Sequence, residues 1–188
     1  MTFYEYDMKM LKMIKRMNFK VEVNEFAWDK TGSVLFVTTD SGSIYALNGK
    51  DLSTQIAQLD CHTAQCYCIS MDPLGNLFAS GAADALVCVW DAHEMICVKT
   101  YTEIETQVRQ LSFSYDGLIL AAASEDLSIC LFNVETEELI YKIKCKGPQH
   151  TISWNPKSYV LVYAGEEKDK DKSKAEEGAI HVCTFNQH

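Results

Sequence analysis

Residues 62–91 read HTAQCYCISMDPLGNLFASGAADALVCVWD, and their order of parts governs the reading of the whole chain. After a histidine, CYCISM alternates apolar and polar residues, as a strand with one buried face requires. The turn formers Asp72, Pro73 and Gly75 follow. A second strand, LFASGA, then a turn around Asp84 and a third strand ending in Trp90-Asp91 complete the stretch. A unit of this size cannot bury its own apolar surface, so it predicts copies of itself on both sides.

Those copies are countable from Asn24 onward. NEFAWDKTG, SVLFVTTD and SGSIYALNG repeat the alternation of strand and turn, with Leu47-Asn48 where the quoted stretch has Trp90-Asp91. A third copy reads VRQLSFSYDG, LILAAASED and LSICLFNVETEE, followed by LIYKIK as an outer strand. The fourth opens with HTISWNPKS and YVLVYAG, is interrupted by EEKDKDKSKAEE, and resumes with AIHVCTF. Gly32, Gly75 and Gly117 stand 43 and 42 residues apart, and Leu47, Trp90 and Phe132 repeat at the same intervals. Four strands in a period of about 40 to 45 residues define a β-propeller blade, and the fold class is all-β.

Before the first complete copy, TFYEYD reads as the third strand of an earlier unit. Met8, Leu11 and Ile14 also fit a short helix, but the pattern runs uncapped into the Val21/Val23 alternation, so a turn and an outer strand are expected. The organisation is thus one propeller domain over 1–188: a partial blade at 2–20, then blades near 21–60, 61–101, 102–144 and 145–188. The insert at 166–177, with six acidic and four basic residues, reads as a mobile loop. The last blade is one strand short. Either the chain is an open arc, or the strand within 11–20 closes a small ring; the wedge and side-chain size favour the open arc.

With 188 residues, 47% of them hydrophobic, the composition is that of a soluble globular protein. A formal charge of -9 argues against direct nucleic-acid binding, since phosphate affinity rests on Lys and Arg. Protein partners are expected instead. No run reaches the roughly 18 apolar residues of a membrane helix, and the N-terminus lacks a signal-peptide pattern, so an intracellular protein without membrane contact is expected. Eight cysteines in such a chain read mostly as reduced, small core residues.

Two clusters invite chemistry. His62, Ser80 and Asp84 have the residue types of a hydrolase triad, yet no G-x-S-x-G elbow is present. Cys61, His62, Cys66 and Cys68 suggest a metal, but their spacing is wrong for paired zinc knuckles. Cys88, Cys130 and Cys183 each stand two residues before the Trp/Phe position of their strands and read as repeated core residues. With no phosphate-cradling glycine loop and no basic-aromatic stripe, no catalytic residue, metal, cofactor or small-molecule substrate is expected. A partner face is expected where connections gather on one side of the blades, at Glu103, Glu105, Glu125, Asp126, Glu166 and Glu167.

The stretch 62–91 resembles a WD repeat in its histidine, its Asp72-Pro73-Leu74-Gly75 turn, its Ala79-Ser80-Gly81 segment, Asp84 and the terminal Trp90-Asp91. That resemblance implies a structural tetrad of His62, Ser80, Asp84 and Trp90: the imidazole bridges Ser80 and Asp84, and the indole N–H reaches Ser80. The third copy departs from it, with Ile104, Ala122 and Phe132-Asn133 at the matching places. The phrases FKVEVNEFAW, FASGAADALVCVWD, VRQLSFSYDG and LAAASED, with the insertion in the last blade, resemble the Tex1-like family of THO complex subunits. This second resemblance implies a seven-blade ring of which the chain forms a C-terminal arc. It also implies a nuclear, non-catalytic scaffold in transcription-coupled mRNA processing and export, with THO/TREX-type protein subunits as partners. The alternative is a WD-repeat adaptor such as a ubiquitin-ligase substrate receptor, although Trp90-Asp91 is followed by Ala92-His93 rather than by x-Arg. A hydrolase built on His62, Ser80 and Asp84 ranks last.

Overall fold

The computed structural model describes residues 2–7, 12–166 and 179–185, with side chains from residue 16 onward. Among the described residues every regular element is a β-strand. β1 (Thr2–Asp7) and β2 (Lys12–Asn18) form an antiparallel pair. Three four-stranded meanders follow. The first is β3 (Val23–Trp28), β4 (Val34–Thr39), β5 (Ser43–Asn48) and β6 (Gln55–Asp60). The second is β7 (Cys66–Met71), β8 (Leu77–Ala82), β9 (Val87–Asp91) and β10 (Cys97–Tyr101). The third is β11 (Val108–Phe113), β12 (Ile119–Ser124), β13 (Ser128–Asn133) and β14 (Leu139–Lys144).

A three-stranded sheet ends the chain: β15 (Gln149–Trp154), β16 (Val160–Gly165) and β17 (Ala179–Thr184). The first strands touch in chain order, β3 on β7, β7 on β11 and β11 on β15, so they form the inner wall of a propeller arc. β2 pairs with β1 and β17 pairs only with β16, so the described sheets do not use the strand within 11–20 to complete the last blade. The insert at 166–177 lies outside the described residues apart from Glu166.

Burial follows position in the blade. The second strands β4, β8 and β12 are buried almost end to end, whereas the outer strands β6, β10 and β14 are largely exposed. A strand covered on both faces needs a continuous apolar or small run, which VLFVTT, LFASGA and ILAAAS supply. Small residues also let the sheets approach. A Cβ on Gly81 would lie 2.5 Å from Val108 Cγ1 of the next blade and 2.8 Å from Cys68 Sγ.

The core is divided between neighbouring sheets. Phe36 and Ile44 of the first blade pack with Ile69, Phe78 and Trp90 of the second. Val87 and Val89 of the second pack with Leu111, Leu120 and Phe132 of the third. Ile129 and Leu131 meet Trp154, Leu161 and Tyr163 of the fourth. Rings connect the first two blades: Phe36 and Phe78 have centroids 4.5 Å apart, and Phe78 stacks on Trp90 at 5.7 Å.

Polar links run along the inner wall. Glu25 on β3 accepts the Ile69 backbone N–H at 2.8 Å with one carboxylate oxygen and Gln110 Nε2 at 3.4 Å with the other. One side chain thus touches three blades. Burial raises the Glu25 carboxyl above its usual range, and the bonds from Ile69 and Gln110 offset part of that rise.

Turn chemistry repeats with the blades. Asp72 Oδ1 accepts the N–H of Gly75 at 2.7 Å and of Leu77 at 2.9 Å. After the third strands, Asn48 Oδ1 accepts Lys50 N–H, Asp91 Oδ1 accepts the N–H groups of His93 and Glu94, and Asn133 Oδ1 accepts those of Glu135 and Thr136. The Asp of the Trp-Asp pair is therefore a turn cap. An Asn carbonyl oxygen serves the same purpose in the flanking blades.

Among the positive-φ glycines Gly42 is the most constrained. Its φ is 86°, and an added Cβ would lie 2.5 Å from the His62 carbonyl oxygen and 2.7 Å from that of Ala64. Gly32, at φ 72°, has open space at the same point. Left-handed strain alone costs about 1–2 kcal/mol, so Gly32→Ala is expected to lose about that amount. Gly42→Ala adds a backbone clash and should lose clearly more. Urea titration of both variants checks this, and equal losses would contradict the packing of β4–β5 on the second blade.

Candidate functional site

The stretch 62–91 folds around one buried polar chain. His62 lies in the β6–β7 connection, Ser80 on β8, Asp84 in the β8–β9 turn and Trp90 on β9. His62 Nδ1 is 3.2 Å from both carboxylate oxygens of Asp84, and His62 Nε2 is 2.8 Å from Ser80 Oγ. Trp90 Nε1 donates to the same Ser80 Oγ at 2.9 Å. Only one proton arrangement satisfies every member with a neutral imidazole. The indole N–H donates to Ser80, the Ser80 O–H donates to His62 Nε2, and His62 Nδ1–H donates to Asp84.

Burial has the largest influence on His62 and holds its imidazole below the ordinary range, although Asp84 pulls the other way. The His62–Asp84 contact is accordingly a hydrogen bond donated by a neutral ring to the carboxylate. Asp84 also accepts the Thr63 and Leu86 backbone N–H groups at 2.9 and 3.1 Å, which ties the β6–β7 connection to the β8–β9 turn. Ser80 is 0% exposed and its oxygen already accepts a hydrogen bond from Trp90. Buried in this way, it offers no approach for a substrate carbonyl, and the four residues act as a brace.

The third blade solves the same packing problem without polar groups. Ile104, Ala122 and Phe132 are buried in one cluster, and Phe132 stacks on Tyr101 at 4.3 Å. One polar piece survives: Asp126 Oδ2 accepts the Glu105 backbone N–H at 3.1 Å, just as Asp84 accepts that of Thr63. The sequence pattern places Asp126 on a partner face but does not reveal this capping role. The spacing of 21 residues, shared by both pairs, is the signal that could have exposed it.

Glu103, Glu105, Glu125 and Glu166, the other expected partner-face residues that are described, lie on one rim. There the connections between blades meet the turns between second and third strands, through Ala83 N–H to Gln65, Glu125 N–H to Gln107 and Glu166 N–H to Pro148. Glu125 is paired with Arg109, whose guanidinium lies 4.5 Å over the Tyr67 ring. Glu103 accepts its neighbour Thr102 N–H, Glu105 is exposed, and Glu166 lies 3.5 Å from His150 Nε2. Glu167 lies outside the described residues.

The thiols do not group as their spacing suggests. A bulge between Cys66 and Cys68 sends them into different interblade clusters. Instead Cys61 and His62 meet Cys88, with donor atoms all within 4.8 Å of one another. The neighbouring Cys61 thiol holds Cys88 below its usual range, and Cys88 in turn pushes Cys61 up. All eight cysteines are free thiols.

Comparison with known proteins agrees with this fold. The WD domain, G-beta repeat model matches residues 53–91, and the anaphase-promoting complex subunit 4 WD40 domain model matches residues 89–157. A chain in the crystal structure of the mitotic checkpoint complex superposes with a TM-score of 0.84. It covers 98% of this chain and 55% of that one at 20% identity, a likeness of fold alone. The chain belongs to the WD40-repeat β-propeller proteins.

Within that class, it is 41% identical over 179 residues to THO complex subunit 3 of Arabidopsis thaliana, covering 95% of this chain and 56% of the relative. It is 35% identical over 174 residues to WD repeat-containing protein AAC3 of Dictyostelium discoideum, covering 89% and 36%. The chain thus spans about half, or less, of the length of these relatives.

Ser80→Ala leaves the His62 and Trp90 nitrogens buried without partners, and each orphan costs about 1–3 kcal/mol. A loss of about 3 kcal/mol is therefore expected in a denaturant titration. Trp90→Ala should lose roughly 3 to 5 kcal/mol through its cavity and the missing bond. Losses under about 1 kcal/mol in both would remove the brace from the account of stability.

The pH dependence has a definite sign. An unfolded imidazole titrates near 6.5, and burial depresses the folded value of His62 below that. The stability His62 contributes is present above about pH 6.5 and is lost as pH falls through the folded value. Urea midpoints should drop between about pH 7.5 and pH 5.5, and His62→Gln should flatten that drop. A drop unchanged in the variant would assign it to other groups.

Proposed function

We propose that this protein is a non-catalytic scaffold subunit of a THO-type assembly, acting in the nucleus in transcription-coupled mRNA processing and export. The observation that carries the reading is 41% identity to THO complex subunit 3 over 95% of the chain. Burial of the Ser80 hydroxyl supports a bracing role for Ser80, His62 and Asp84 in place of catalysis. The net charge of -9 favours protein partners, with RNA engaged by other subunits. The rim carrying Glu103, Glu105, Glu125, Asp126 and Glu166 is the partner surface in this reading. Loops held on a rigid scaffold suit that use.

Affinity purification of the tagged protein from nuclear extract tests the proposal. Recovery of THO subunits is expected, and the double substitution Glu103→Lys and Glu105→Lys should reduce it about tenfold if rim charge steers the encounter. Recovery of no THO subunit would count decisively against the reading. Recovery of a cullin-type ligase in their place would favour the substrate-receptor alternative.

A further inference from the structure

Two thiols and an imidazole converge beside the second-blade brace, with a third thiol near them. Cys61 Sγ, Cys88 Sγ and an imidazole nitrogen of His62 lie within 4.8 Å of one another. Cys97 stands outside that three-donor group but beside it, since Thr100 Oγ1 sits 3.7 Å from Cys97 Sγ and 3.9 Å from Cys88 Sγ, and an ion held by the three would draw it in as the fourth donor. The donors come from separate segments: the β6–β7 connection, β9 and β10. A bulge between Cys97 and Lys99 sets Cys97 opposite Trp90. Cys97 therefore shares a face with Cys88, two residues from Trp90 along β9.

We propose that Cys61, Cys88, Cys97 and His62 form a binding site for a thiophilic d10 cation, with zinc as the ion. Three thiolates and one imidazole are a complete four-donor set for tetrahedral zinc. Cys88 is buried, Cys61 half-buried and Cys97 exposed, so the site has a fixed floor and an entry from solvent. Asp84 on His62 Nδ1 supplies the carboxylate that commonly orients a metal-bound imidazole.

Coordination through Nε2 displaces its bond to Ser80, but one neutral hydrogen bond is small beside the free energy of a zinc–thiolate site. The third blade offers a natural contrast. Cys130 is the counterpart of Cys88, and there Glu103, Ile104 and Leu139 stand where the second blade has Cys61, His62 and Cys97.

Cobalt(II) is the probe, because its thiolate charge-transfer absorption reports sulfur ligation and its visible bands report tetrahedral geometry. Titrating the reduced protein should give both signals, saturating near one equivalent and abolished by added zinc. Cys61→Ser and Cys97→Ser should each weaken cobalt binding by about tenfold or more, whereas Cys130→Ser should leave it unchanged. Near-ultraviolet circular dichroism of each variant verifies that Trp90 remains packed.

Three outcomes would overturn the site. One is the absence of a charge-transfer band in the folded wild-type protein. Another is a band that persists in the folded Cys61→Ser/Cys97→Ser double variant. The third is a protein two hydrogens lighter that joins Cys61 to Cys88 as a disulfide and binds no cobalt even after reduction.

Discussion

Among the described residues, the three largest apolar clusters are each shared between two neighbouring blades. Phe36 needs Phe78, Val87 needs Leu120, and Leu131 needs Trp154. A blade released from its neighbours would expose half of two clusters. The small residues of β8 and β12 follow from this arrangement, because sheets that bury each other must approach closely, and Gly81 against Val108 shows how little room remains. Glu25 adds a polar counterpart by touching the second and third blades from the first.

The contrast between the second and third blades shows how two chemistries fill one position. A satisfied hydrogen bond contributes only about 1 kcal/mol net, so a complete polar set and a complete apolar set of similar volume are close in stability. A partial set is the costly case, since each orphaned group keeps its desolvation penalty. His62, Ser80, Asp84 and Trp90 are a complete polar set, and Ile104, Ala122 and Phe132 are a complete apolar one. Asp126 remains polar because its partner is a backbone N–H that no side-chain change removes.

The blade period was legible in the sequence because it rests on local signals: turn glycines, alternating strands and an aromatic-acidic strand end. The brace was legible through its resemblance to a known repeat. Other features rest on long-range placement. Glu25 reaches residues 44 and 85 positions away, which no local pattern encodes. The division of Cys66 from Cys68, and the meeting of Cys61 with Cys88, depend on where a strand bulges and where a connection returns. Composition shows neither. Comparing Cys88 only with Cys130 and Cys183 directs attention across blades, whereas its thiol partner comes from the preceding connection of its own blade.

The turns capped by Asn48, Asp91 and Asn133 also hold Leu52, Met95 and Glu137 at φ 54°, 57° and 66°, each four residues beyond its cap. Three ordinary L-residues thus occupy a conformation that glycine or asparagine adopts more readily. Stability is left unused at the same place in three successive blades. Leu52 and Met95 also pack against apolar clusters, so the exposed Glu137 is the natural entry point for making a sturdier version of the arc.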